Sequence, residues 1–256
     1  MTYFVLFIFG LVIGSFLNVV IARFDDLSSA VTGRSKCPKC GHKLHAGDLI
    51  PLVSYLMLAG KCRYCKKPIS YQYPVVELAM GILTASSWFL ISSFGADLTT
   101  QIILTKILIV IFSLLVILIV QDLSEMLVSD TLSYLLIIFA AIFGFMYWGE
   151  VSVLAIGAIT AVVPILVLVY PSGEKWMGKG DIKIALALGL LVAYPNVWVM
   201  LATAFIGGGL IGAILILTKK AKPTSAVPFV PFLVAGAIVA LFWGEYLLRW
   251  YLGLSS

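Results

Sequence analysis

Eight stretches of this chain are too long and too apolar to be dissolved in water, and they leave few folds open. They run over about 2–22, 75–95, 101–121, 131–149, 151–171, 182–195, 197–218 and 228–249. A helix needs ~20 apolar residues to cross the ~30 Å hydrocarbon layer of a bilayer. Within that layer every backbone N–H and C=O must find its partner inside the protein. The expected fold is therefore an all-α polytopic membrane protein of about eight transmembrane helices. The sixth stretch is short, and is expected to be tilted, half-buried or packed beneath its neighbours. Composition agrees: of 256 residues, 62% are hydrophobic and 11% charged, and the mean hydropathy of +1.11 is far above that of a soluble domain.

The charges are placed unevenly. Arg23 through Lys67 hold nine basic residues, the segment 175–183 holds three, and Lys219, Lys220 and Lys222 are three more, of 17 in all. These loops follow the first, fifth and seventh spans. With eight spans and an N-terminus outside, all three are cytoplasmic, which is the positive-inside arrangement. No Lys or Arg precedes the first span, so it reads as a retained helix rather than a secretory signal. The net charge of +5 then reports orientation and attraction to anionic membrane lipid. It gives no support to a nucleic-acid partner.

One hydrophilic insert, about residues 24–73, carries all four cysteines and both histidines. Two parts are expected: residues 1–95, a membrane and cytoplasmic four-cysteine module, and residues 96–256, a helical bundle. The small-xxx-small spacings of Gly10 with Gly14 and Gly208 with Gly212 mark close helix packing.

Cys37 and Cys40 form one C-x2-C pair and Cys62 and Cys65 another. Each tight turn can point two sulfurs at one ion, and two turns complete a tetrahedron, so the expected ligand is zinc. Disulfides are the competing reading, but a cytoplasmic loop is a reducing place. His42 and His45 are not needed once four sulfurs fill the site. A closed four-sulfur site has no open position, so the metal is structural, folding a loop too short to build its own core.

Two carboxylates differ from the other acids. Asp122 ends the run "KILIVIFSLLVILIVQD", and Asp181 sits in "GKGDIK" at 178–183, where the sixth stretch begins. Topology brings both to the cytoplasmic mouth of the membrane. Two carboxylates close together in a partly dry site share one proton, which suits general acid–base chemistry. Gly178 and Gly180 would let a substrate backbone approach Asp181. Taken alone, Asp181 reads equally well as a helix cap. Asp130 could cap the fourth span in the same way, and Lys179 and Lys183 could be interface charges.

The motifs "GSFLNVVIAR" (14–23), "CPKC", "CRYC", "LIPLVSYLMLAGKC" (49–62), "YPVVE" (73–77), "QDLSEMLVSD" (121–130), "GKGDIK" and "PFVPFLVAGA" (228–237) occur in the order found in one family. The chain resembles the bacterial type IV prepilin peptidases, membrane aspartic proteases of the GxGD type. The resemblance implies that Asp122 and Asp181 are the catalytic pair, with Gly178, Gly180, Lys183 and Asp130 in support. It implies cleavage of the leader of prepilins or pseudopilins after a glycine, at the cytoplasmic face of the bacterial inner membrane. It also implies N-methylation of the new N-terminus from S-adenosylmethionine, placed loosely around Gly60, the insert and Glu77. The chain departs from the family at Ser129, where a proline usually stands, which puts the local turn in question. Two other classes compete. A proton-coupled transporter could use Asp122 and Asp181 as a relay, though no internal repeat is visible. A zinc-organised scaffold gives no reason for two acids at one depth.

Overall fold

The structure is a computed structural model, and it describes residues 1–24, 33–174, 177–219 and 227–253. The first part of the insert, and Lys175, Lys220 and Lys222 of the charge pattern, lie outside the described residues. The helices run in the order α1 (Thr2–Ala22), a 3-10 turn (Ala46–Asp48), α2 (Val53–Met57), α3 (Gln72–Ser92), α4 (Leu98–Glu125), α5 (Asp130–Trp148), α6 (Val151–Ser172), α7 (Lys179–Val192), α8 (Val197–Leu217) and α9 (Val230–Tyr251). Among the described residues the only β-pairing is two isolated bridges, Lys36 with Lys43 and Lys61 with Pro68. Seven helices among the described residues are long and apolar enough to cross a membrane.

The eighth expected span is α7. Its 14 residues reach only ~21 Å at 1.5 Å per residue, which is short of the hydrocarbon thickness. It does not meet lipid as a long span would: Ile184, Ala185, Ala187, Leu188, Leu191 and Val192 have no exposed surface. Neighbouring α5, α6 and α9 pack around it. Small residues allow this. A Cβ on Gly189 would lie 2.7 Å from the Gly157 carbonyl oxygen of α6, and one on Gly144 of α5 would lie 2.5 Å from the Leu190 oxygen.

By packing the chain divides into two compact units, Met1–Ile117 and Leu118–Ser256. In the first, α1 lies along α3. The notch at Gly10 receives the Met80 carbonyl, and a Cβ on Gly14 would stand 2.7 Å from Glu77 Cα, so the small-residue spacing there is a packing seam. In the second unit the pair at 208 and 212 divides. A Cβ on Gly208 would lie 3.1 Å from the Phe229 ring, while one on Gly212 would meet nothing within 4 Å among the described residues.

The helix α4 runs four residues past the apolar stretch that ends at 121. Asp122 thus lies inside its last turn, and Met126, in the left-handed region at φ 53, closes the helix by donating to the Asp122 carbonyl at 3.0 Å. In sequence a polar pair looks like a helix end. Here the helix continues because the carboxylate finds a partner of its own.

Candidate active site

Asp122 is buried, 5% exposed, and its Oδ2 accepts a hydrogen bond of 3.0 Å from the backbone N–H of Val230. Val230 is the first residue of α9, and its N–H is one of the donors a helix N-terminus leaves without an intrahelical partner. The aspartate therefore sits at the positive end of α9. Asp181 is 7% exposed and occupies the third position of α7, where its Oδ2 accepts from the Gly178 N–H at 3.0 Å. The capping expectation holds in this form: Gly178 is the N-cap, and Asp181 reaches back to it from within the first turn. Asp122 and Asp181 lie close enough for their charges to interact. Each of the two carboxylates is thus fixed by a backbone donor at a helix start.

The residues around the pair differ in what they do. A Cβ on Gly178 would meet, among the described residues, the Asp181 carboxylate at 3.8 Å and the Gly180 N at 3.9 Å, both ordinary contacts, so that side is open. A Cβ on Gly180 would run into Val128 at 2.8 Å, so Gly180 seats the α7 N-terminus against the turn before α5 and is not a gap for substrate. Lys183 bonds Asp130 at 2.6 Å, and its ammonium lies 5.0 Å from the Tyr134 ring centroid. This ties the start of α5 to the second turn of α7. Lys179 pairs with Glu174.

In the insert the four cysteines are free thiols, and their sulfurs lie within 4.8 Å of one another. The Cys37 and Cys65 sulfurs are 4.0 Å apart, about twice a disulfide bond. A tetrahedron with ~2.3 Å metal–sulfur bonds has edges of ~3.8 Å, so the group fits a metal ion. Burial of the Cys37 thiol is outweighed by the N–H groups of Lys39 and Cys40, and its pKa falls to about 7; at Cys40 the His42 N–H is outweighed by burial and the Cys37 and Cys65 sulfurs, and its pKa is pushed up to about 11. The two knuckles repeat one backbone design. Cys37 and Cys62 donate N–H bonds to His42 and Lys67 at 3.0 and 2.9 Å, and the residue four after each is left-handed, Gly41 at φ 71 and Lys66 at φ 59. Asp48 joins them by accepting from Arg63 at 2.6 Å and Tyr64 at 3.0 Å, and Tyr64 stacks on His42. His42 and His45 lie outside the sulfur group.

Glu77 is buried, 7% exposed, and accepts the Leu52 N–H at 2.8 Å. Gly60 is left-handed at φ 68, and a Cβ there would strike the Tyr55 hydroxyl at 2.9 Å. Glu77 and Tyr55 both line a cavity of about 400 Å³, whereas Gly60 itself does not.

Residues 8–91 match the Bacterial Peptidase A24 N-terminal domain, and residues 109–217 match the Type IV leader peptidase family. Relatives named prepilin leader peptidase/N-methyltransferase align nearly end to end. One from Aeromonas hydrophila is 32% identical over 96% of this chain and 92% of that protein. Another from Bacillus subtilis is 30% identical over 98% of both. The chain belongs to the type IV leader peptidase family. A further member, from Pseudomonas aeruginosa, is 29% identical over 95% of this chain and 91% of its own. No solved structure matches the chain. Nothing in these comparisons favours a transporter.

Within that family frame the departure at Ser129 is local. Ser129 adopts φ −64 and ψ 124, the φ that a proline ring would impose, and its carbonyl accepts the Ser133 hydroxyl at 2.8 Å. The turn into α5 is therefore kept without the proline. Two contacts could not have been foreseen from side chains, Val230 on Asp122 and Leu52 on Glu77, because both donors are backbone N–H groups.

Proposed function

We propose that this chain is a membrane aspartic endopeptidase, a prepilin leader peptidase that also N-methylates its product. The observation that carries the reading is the pair Asp122 and Asp181: two buried, electrostatically coupled carboxylates, each held by a helix N-terminal N–H. A water between them gives a proton to one carboxylate as its oxygen attacks the scissile carbonyl carbon, while the other carboxylate protonates the carbonyl oxygen. Collapse of the tetrahedral intermediate returns a proton to the leaving amine, and the shared proton is restored. Lys183 and Asp130 hold the α7 and α5 starts in register, and the open side at Gly178 admits the substrate backbone.

The substrate is a prepilin or pseudopilin precursor whose apolar N-terminal helix lies in the bilayer, cut after a glycine. The protein sits in the bacterial inner membrane with its N-terminus outside, and the insert and both aspartates face the cytoplasm, in contact with anionic lipid. The four-cysteine module of about 1–95 holds structural zinc on Cys37, Cys40, Cys62 and Cys65, and the bundle of about 96–256 cuts. S-adenosylmethionine supplies an electrophilic methyl group to the new N-terminal amine. Gly60 and Glu77 lie in the part we assign to that step, Gly60 by giving Tyr55 its place. Incubating purified protein with a prepilin and labelled S-adenosylmethionine tests both activities, the expected products being a leader peptide and a labelled mature chain. An uncut precursor would refute the reading.

A further inference from the structure

We infer that the cavity between the insert and the facing ends of α1 and α3 is the pocket of the methyl donor, with the Glu77 carboxylate set against the donor's sulfonium. The inference rests on the methyl-transfer part of the proposed function and assigns its site.

The cavity holds about 400 Å³ and is walled by Ser15 of α1, Tyr73 and Glu77 of α3, and Tyr55 of the insert, with Lys36 and Lys67 among its cations. Sites for drug-sized ligands start at ~300 Å³, so a nucleoside carrying an amino acid fits. The walls are mostly apolar and aromatic, as a purine requires. The acid in them that stands apart is Glu77. Asp48 also lines the cavity, but Arg63 and Tyr64 occupy it. Among the described residues no lysine, arginine or histidine pairs with Glu77. A buried carboxylate without a cation is costly, and a cationic ligand offsets that cost.

The backbone that serves Glu77 is strained. Val53 N–H donates to the Pro51 carbonyl at 2.6 Å, a three-residue γ-turn centred on Leu52 at φ 59 and ψ −46. Turns of this sign are rare, and such strain collects at ligand clamps. Here it aims the Leu52 N–H at Glu77, which fixes one carboxylate oxygen. Lys36 and Lys67 in the wall suit the donor's own carboxylate. In transfer, the lone pair of the neutral substrate amine forms the C–N bond. The S–CH3 bond breaks with its electrons staying on sulfur, leaving a neutral thioether, and the methylated ammonium then loses a proton to water.

The charge of the sulfonium supplies the test. Equilibrium binding of labelled S-adenosylmethionine, and of neutral-sulfur S-adenosylhomocysteine, is measured on the detergent-purified full chain. Glu77→Gln, which keeps an acceptor for Leu52, weakens the sulfonium ligand about tenfold or more and the thioether ligand much less. Ser15→Leu, which fills the cavity beside Glu77 and removes the serine hydroxyl that bonds its carboxylate, weakens both. Ultraviolet crosslinking of labelled S-adenosylmethionine to the unmodified protein needs no variant, and its label falls on peptides from the cavity wall, Tyr55 and Tyr73 first. Wild-type binding in both variants, or a label confined outside these walls, overturns the assignment while leaving methyl transfer standing. A wild-type protein that neither binds nor transfers overturns the reading beneath it.

Discussion

The bond from Val230 to Asp122 can be removed one atom at a time. Proline at 230 is a poor choice, because Phe229 is helical at φ −102 and ψ −21 and the residue before a proline avoids that region. Replacing Val230 by its α-hydroxy analogue turns the amide into an ester, deletes the N–H and keeps the side chain. The lost bond is 3.0 Å long and buried. Hydrogen bonds to charged groups contribute about 1.5–3 kcal/mol. If that support is used in the transition state, the cleavage kcat falls roughly 10- to 150-fold, at ~1.4 kcal/mol per tenfold. KM should stay within about twofold, since Val230 is not assigned to substrate binding. The ester also weakens the Phe229 carbonyl, which accepts from Phe232 and Leu233. A second ester at Val234, inside α9, therefore serves as the control, with lowered thermal stability but kcat retained. A Val230 ester with wild-type kcat would refute the claim that the start of α9 organises the acid pair.

Other consequences follow from the insert. Lys66→Gly should raise its stability by about 1 kcal/mol, because glycine adopts φ 59 without the Cβ penalty, and Gly41→Ala should lower it; thermal unfolding of the zinc-loaded protein reads both. A strong chelator should release one metal per chain, measured by elemental analysis, and loosen the insert to proteolysis between residues 33 and 70, with cleavage of prepilin changed less than methyl transfer. Burial opposes the charge of Asp48, but Arg63, Tyr64 and the His45 N–H hold its pKa below the usual value. Its contribution is therefore present above the unfolded value of ~3.9 and lost as pH falls through the folded one. Asp48→Asn should cost about 1–2 kcal/mol at neutral pH and less as the solution is acidified below ~4, which unfolding at several pH values would show.

Much of this arrangement was legible in the sequence because its signals are side chains in a pattern. Apolar runs mark the seven long helices, and the brevity of the sixth stretch is the brevity of α7. Paired C-x2-C turns mark the sulfur group. Gln121 and Asp122 look like a helix terminus in sequence, whereas tertiary contact carries α4 on to Glu125. In sequence Gly180 looks like room for substrate, but the neighbour that fills the space is Val128, distant along the chain. The donors on Asp122 and Glu77 are main-chain N–H groups, 108 and 25 residues away, and every residue but proline has one. The sequence gives them no mark.

The central claim is that Asp122 and Asp181 act as one catalytic unit. It is tested most directly by cleavage of a purified prepilin in detergent by Asp122→Asn, Asp181→Asn and the double variant. Asparagine keeps the shape and an acceptor for Val230 or Gly178 but cannot carry the proton. Each single variant is expected to lose at least about 10³-fold in kcat/KM, and the double variant little more, as for residues that work together. Cleavage surviving in either single variant would contradict the account.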